Sequence, residues 1–235
     1  MKLTAEQIQE NWNVFMGNIE KYISSPRKEK LIAFYEKYQE RISLMPAAHK
    51  KEYHNAFPGG YVEHVNRVVR CALKQYDIWE EEGADMSTFT KEELVFSAIN
   101  HDLGKMGDEE NESYIPQTDK WRKDKLGEDY MFNKQVPFAS VPDRGLFMLQ
   151  SHGVQYTFNE MLAIQTHDGL YDEANKKSEG AKVFFKLKKG DINIIDLNLR
   201  YKGGFTSQPQ FQATISADFK DVLTEQYGKI CRQPK

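Results

Sequence analysis

Cysteine is scarce in this chain of 235 residues: there are two, Cys71 and Cys231. Their separation matches no zinc-binding spacing. Cys71 sits in an apolar helical context and reads as a small core residue, which fits a reducing compartment. No run approaches the roughly 18 apolar residues of a membrane span. The N-terminal stretch MKLTAEQIQENW lacks the apolar segment of a signal peptide, so the expected location is the cytoplasm. Charge of one sign is also lacking. A net charge of -3 leaves no footprint for non-specific DNA binding. The two Lys-rich clusters, Lys120 to Lys125 and Lys186 to Lys189, read as solvated faces. No internal repeat or low-complexity tract is visible. Histidine is sparse too, with six residues in all, and this makes its distribution informative.

The chain is 40% hydrophobic and 29% charged, enough apolar material for one large core. The first half reads as helical. Thr4 and Gln7 form a capping-box pattern, followed by Ile8, Trp12, Phe15 and Ile19 at helical spacing. Pro26 can open a second helix with Leu31, Phe34, Tyr35 and Tyr38 on one face. Met45-Pro46 breaks it, and a short polar helix is expected next, carrying His49 and His54 as surface residues. After the turn signal Phe57-Pro58-Gly59-Gly60, Val62, Val65, Val68, Val69, Ala72, Leu73 and Tyr76 mark a long buried helix. Thr90 and Glu93 form another capping-box pattern ahead of Leu94, Val95, Ala98 and Ile99. Gly104 and Gly107 then let the chain turn. Residues 108 to 143 read as a long surface excursion ordered by its aromatics. Short helices over Arg144 to Gln150 and Phe158 to Gln165 follow. After Gly180 the alternating pattern suggests strands or a small β-hairpin, and Ser216 to Tyr227 returns to helical spacing. The expected organisation is an N-terminal helical segment over 1–56, a core over 57–180 and a C-terminal segment over 181–235, within a single mainly α domain.

Four of the six histidines fall at the ends of apolar segments. His64 follows Pro-Gly-Gly and opens an apolar helix, where an imidazole has no packing reason to be. His101 and Asp102 close another, and burying that pair without a partner would be costly. His152 and His167 each end a short helix and are followed within two residues by Gly. Imidazole and carboxylate donors suit divalent Mn, Fe, Co, Ni and Zn. Two such ions can clamp a phosphate and lower the pKa of a water between them. Lys105, one turn beyond His101, can contact a phosphate oxygen.

These segments resemble the HD-domain superfamily, named for its adjacent His-Asp pair. GGYVEHVNRVV is similar to the family's opening motif and AINHDLGKMGD to its central one. SHG and THDGLYDE are similar to the later metal-binding motifs of the two-metal branch. The resemblance covers roughly residues 57 to 170. It implies an HD-type helical bundle holding two divalent ions, with Mg added to the metals above. By the same resemblance His64, His101 and Asp102 hold one ion. Asp102 bridges to a second, held by His152 and His167, and Lys105 assists at the phosphate. Asp168 is a further candidate, as an outer partner or water ligand. The family closes its site with a late Asp. The nearest match here is Asp218, ahead of Asp191 and Asp196, which lie in strand-like context.

The implied activity is hydrolysis of a phosphoester or phosphoanhydride bond in a nucleotide or related compound. Arg144 and Arg122 are candidates to grip phosphate, and Tyr114, Trp121, Tyr130 and Phe132 to stack on a base. Two alternatives stand beside it: a di-iron oxygenase, which a minor branch of the family represents, and a non-catalytic binding module of HD fold. Bundles of this family often self-associate, so a homo-oligomer is a further expectation.

Overall fold

A computed structural model describes residues 3–50, 54–81 and 86–168. The expected C-terminal β-hairpin and the candidates Asp191, Asp196 and Asp218 lie outside the described residues. The fold is mainly α. Among the described residues seven α-helices run α1 (Ala5–Tyr22), α2 (Arg27–Lys37), α3 (Gln39–Leu44), α4 (Gly60–Glu81), α5 (Lys91–Asn100), α6 (Val141–Ser151) and α7 (Phe158–Thr166). None among the described residues is long and apolar enough to cross a membrane. The described residues divide into two compact units, one of residues 3–67 and 102–155, the other of 68–101 and 156–168.

In the first unit, α1 starts where the sequence places it. The Thr4 hydroxyl accepts from the Gln7 N–H, and the Gln7 side chain accepts from the Thr4 N–H, so two of the four orphan donors of the helix start are satisfied. Its buried face is Trp12, Phe15 and Ile19. Phe15 meets Tyr35 of α2 edge-on at 4.7 Å between ring centres, an arrangement favoured by the ring quadrupoles. Leu31, Phe34, Tyr35 and Ile42 complete this fully or nearly fully buried cluster. Tyr38 separates α2 from α3, a break that the periodicity hides. Residues 45–50 and 54–58 are non-helical, so the expected polar helix is not found among the described residues there.

The excursion after the 103–106 turn is ordered. It contains a two-stranded antiparallel sheet, β1 (Tyr114–Pro116) and β2 (Tyr130–Phe132), with Tyr114 opposite Phe132. The half-buried His49 ring lies 4.2 Å from the Phe132 ring centre and 6.0 Å from that of Tyr114. Two of the four aromatics expected to stack on a base are therefore packed on each other and on a histidine.

In the second unit, α5 packs against α7. Each begins with a capping box, Thr90 with Glu93 and Thr157 with Glu160. The two starts are tied together, because the Thr157 hydroxyl donates to Glu93 Oε1 at 2.7 Å and Asn159 Nδ2 donates to the same oxygen at 3.3 Å. The helices have 10 and 9 residues, or roughly 15 and 14 Å of rise. Two helices of matched length that start at one tie end side by side, and the residues that cap those ends are His101 and His167.

Candidate metal centre

The first unit gathers three potential ligands. One ligand atom from each of His54, His64 and Asp102 lies within 4.8 Å of the others. His64 and Asp102 are buried at 0% and 3% exposure, and His64 Nε2 is 3.4 Å from Asp102 Oδ2. The His54 and His64 rings lie 4.4 Å apart. Lys105 Nζ donates to the same Asp102 oxygen at 2.5 Å, so the buried carboxylate is charge-paired.

His64 reaches this place because α4 begins beside a tight polar knot. Asn55 is buried and takes a left-handed backbone with φ 49°, which Asn tolerates better than most residues. Its side-chain amide donates to the Gly60 carbonyl at 2.8 Å and to Glu63 Oε2 at 2.6 Å, and its Oδ1 accepts from Arg67 at 2.8 Å. Its own carbonyl accepts from the Ala47 and Phe57 N–H groups. A Cβ at Gly60 would overlap that carbonyl oxygen and stand 3.0 Å from its carbon, so only glycine allows the helix to start here. The knot joins the residue after His54 to the residue before His64.

Asp102 and Lys105 are set by a second close approach. Gly104, in the turn Leu103–Met106, lies against the start of α6. A Cβ there would overlap the Val141 carbonyl oxygen and stand 2.9 Å from its carbon and 3.0 Å from the Gly145 nitrogen. The sequence suggested a glycine for turning. The requirement at Gly104 is backbone contact, whereas Gly107, at φ 99°, does serve the turn.

The second unit brings His101 and His167 together, both buried, with ring centres 5.0 Å apart. His101 Nδ1 meets the Ala98 carbonyl at 2.9 Å, and His167 Nδ1 meets that of Ile164 at 2.7 Å. A carbonyl only accepts, so each Nδ1 carries a proton, and in the neutral form of each ring the lone pair lies at Nε2. Fixing the tautomer through the far nitrogen is how metal-binding imidazoles are oriented. His167 Nε2 is 3.5 Å from Asp168 Oδ1.

Other expected residues are engaged elsewhere. His152 joins none of the ligand groups found among the described residues. Its Nδ1 meets the Met148 carbonyl at 2.9 Å, and its Nε2 meets Lys37 Nζ at 3.0 Å and the Tyr38 hydroxyl at 3.2 Å. An ammonium can only donate, so the Nε2 lone pair that a metal would need faces a cation. The ring also packs edge-on against Phe34 and Tyr38. Arg144 spends its guanidinium on the carbonyls of Gly104, Pro137 and Ala139, which staples the excursion to the 103–106 turn. Partial burial lowers its pKa from the ordinary arginine value. Arg122 pairs with the buried Glu128 at 3.2 Å. Sequence reasoning missed His54, placed at the surface by its polar neighbours. The signal available was its position beside Asn55, just ahead of the Pro-Gly-Gly turn.

The donors fit a metal ion by kind, since two imidazoles and a carboxylate suit borderline divalent ions. A separate observation supports a bound group. The Tyr61 hydroxyl is fully buried and has no hydrogen-bond partner among the described residues. Burial, then the neighbouring Tyr35 and Asp102, hold its pKa well above the ordinary tyrosine value. It is thus a protonated donor, and buried donors of this kind are normally satisfied. No family model, curated protein or solved structure matches the chain.

Proposed function

We propose that the protein is a metal-dependent phosphohydrolase or phosphodiesterase acting on a nucleotide or related phosphoester. The observation that carries this reading is the buried His64–Asp102 pair with the Lys105 ammonium on the same carboxylate. His64 and Asp102 would hold one ion; His101, which the resemblance assigns to that ion, lies beside His167 and would contribute with it to a second. Divalent ions would supply a Lewis-acid clamp on the phosphate and a water of lowered pKa. Lys105 places a positive charge beside the carboxylate, where it can neutralise an incoming phosphate oxygen. The carbonyl bonds of His101 and His167 fix a proton on each Nδ1 and orient both rings.

The experiment is metal analysis of the purified protein, followed by a screen of nucleotides, cyclic dinucleotides and short RNA with manganese. His101→Ala and Asp102→Ala are each expected to abolish metal-dependent turnover. Wild-type activity in either variant at matched metal would refute the assignment. The same donor set of two imidazoles and a carboxylate also suits ferrous iron, which supports a di-iron oxygenase as a second reading. An oxygenase consumes oxygen with substrate, whereas a hydrolase releases phosphate or nucleotide anaerobically with manganese. Metal binding without turnover in either assay would leave a binding module.

A further inference from the structure

We propose that His54 is a protein ligand of the first ion, completing a three-residue set with His64 and Asp102. Three features support this, none of them part of the resemblance in the motifs. The first is proximity: the potential ligand atoms of the three side chains all lie within 4.8 Å of one another, so a side-chain shift of a few tenths of an ångström brings them within the ~4.4 Å that two ligands of one ion can span at about 2.2 Å each.

The second is rigidity. A loop histidine makes a poor ligand if its loop must be ordered on binding, because that entropy is lost from the affinity. His54 does not have this disadvantage. The next residue, Asn55, is bonded through its side chain to Gly60, Glu63 and Arg67 and through its carbonyl to Ala47 and Phe57. Glu63 is adjacent to His64. The same knot therefore holds His54 and His64 in register before any ion arrives. Gly60 packs directly on the Asn55 carbonyl, with no room for a side chain, so the start of the helix and the knot are in backbone contact.

The third is the Tyr61 hydroxyl, buried and unpartnered among the described residues, on a side chain three residues from His64 in α4 and so on the same face of that helix. It is a donor waiting for an oxygen that the described protein atoms do not supply. A water or phosphate oxygen completing the coordination would satisfy it. Three protein ligands with open positions are the pattern of a reactive site, whereas structural sites close all positions with protein ligands.

This inference rests on the metal reading above only in that the site takes a divalent ion. The test uses the full chain and cobalt(II), read by absorption and by titration calorimetry, with no substrate. Wild type is expected to bind cobalt. His54→Ala is expected to weaken the first site by about tenfold or more, in the range that loss of a ligand or of its close support produces. His54→Cys is expected to add a thiolate-to-cobalt charge-transfer band in the near ultraviolet that wild type lacks. That band appears only if residue 54 touches the metal, so a structural role would not produce it. His64→Ala serves as the reference loss. If His64→Ala loses the first site while His54→Ala binds as wild type and His54→Cys shows no band, the proposal is overturned and the metal reading stands. If wild type binds no cobalt, both fall.

Discussion

Replacing Gly104 by alanine should destabilise the protein through one contact. The added methyl would overlap the Val141 carbonyl oxygen and stand 3.0 Å or less from the Val141 carbonyl carbon and Gly145 nitrogen. All three are backbone atoms at the start of α6, so no side chain can rotate away to make room. Overpacking of this kind costs about 1–3 kcal/mol, and the rigid neighbours place Gly104→Ala at the upper end, near ~3 kcal/mol. For a chain of this size each kcal/mol moves the melting temperature by ~2–4 °C, so the expected drop is ~6–12 °C. Gly17→Ala is the matched control. It adds the same methyl inside α1, where nothing lies within 4 Å, and should stabilise by ~0.5–1 kcal/mol through helix propensity. Circular dichroism melts of the three proteins give the answer. The signs must be opposite. If Gly104→Ala melts with wild type, the packing of the 103–106 turn on α6 is wrong, and with it the placement of Asp102 and Lys105.

Three other outcomes are expected. Asn55→Ala removes three side-chain hydrogen bonds, two of them with the charged Glu63 and Arg67, and should lower stability by ~2–4 kcal/mol in urea titration; Asn55→Gly, which keeps the backbone freedom, should lose most of the same amount. Lys105→Met removes an ammonium that competes for the Asp102 carboxylate, so the metal should bind about tenfold tighter, within the ~1–4 kcal/mol carried by a close charge pair between water and a protein surface, while turnover falls. Weaker metal binding in that variant would show that Lys105 supports the site and does not compete for it. Asp108 has a lowered pKa: burial opposes the charge, but the Asn111 and Glu110 N–H groups, the Asn111 side chain and Arg41 outweigh it. A depressed carboxylate contributes stability above its unfolded pKa of about 3.9 and loses it as the pH falls through the folded value. The stability gap between wild type and Asp108→Asn should therefore be present at neutral pH and close below about pH 4; a gap that persists in acid contradicts the hydrogen-bonding assigned to this turn.

Local rules read well from this chain. The capping boxes at Thr4 and Thr90 were visible as residue spacings, and both stand in the structure. The box at Thr157 carries the same Thr-x-x-Glu signature. Helix periodicity placed Phe15, Leu31, Val65 and Val95 in the interior, where each is fully buried. The positions of His101 and His167 at helix ends also follow from sequence. Features that depend on distant backbone did not read. The break at Tyr38 lies inside one continuous apolar pattern. The hairpin at Tyr114 and Tyr130 joins two three-residue strands, too short for alternation to register. Arg144, a phosphate-grip candidate by sequence, is held by backbone carbonyls, one of them 40 residues away in the chain.

The sequence by itself determined which residue types are available for chemistry, and that most of them sit at helix ends, because helical periodicity and capping are local. It also determined that His101 and Asp102 are neighbours, which no fold can change. Only the tertiary structure decided which histidines lie together. Two helices of matched length tied at Glu93 bring His101 and His167 together. A knot around Asn55 brings a loop histidine, His54, to His64 and Asp102. His152, which carries the same local pattern as the others, instead faces the Lys37 ammonium. Ligand type is a property of the residue, but ligation depends on what else approaches its nitrogen, and that is settled by contacts between segments far apart in the chain.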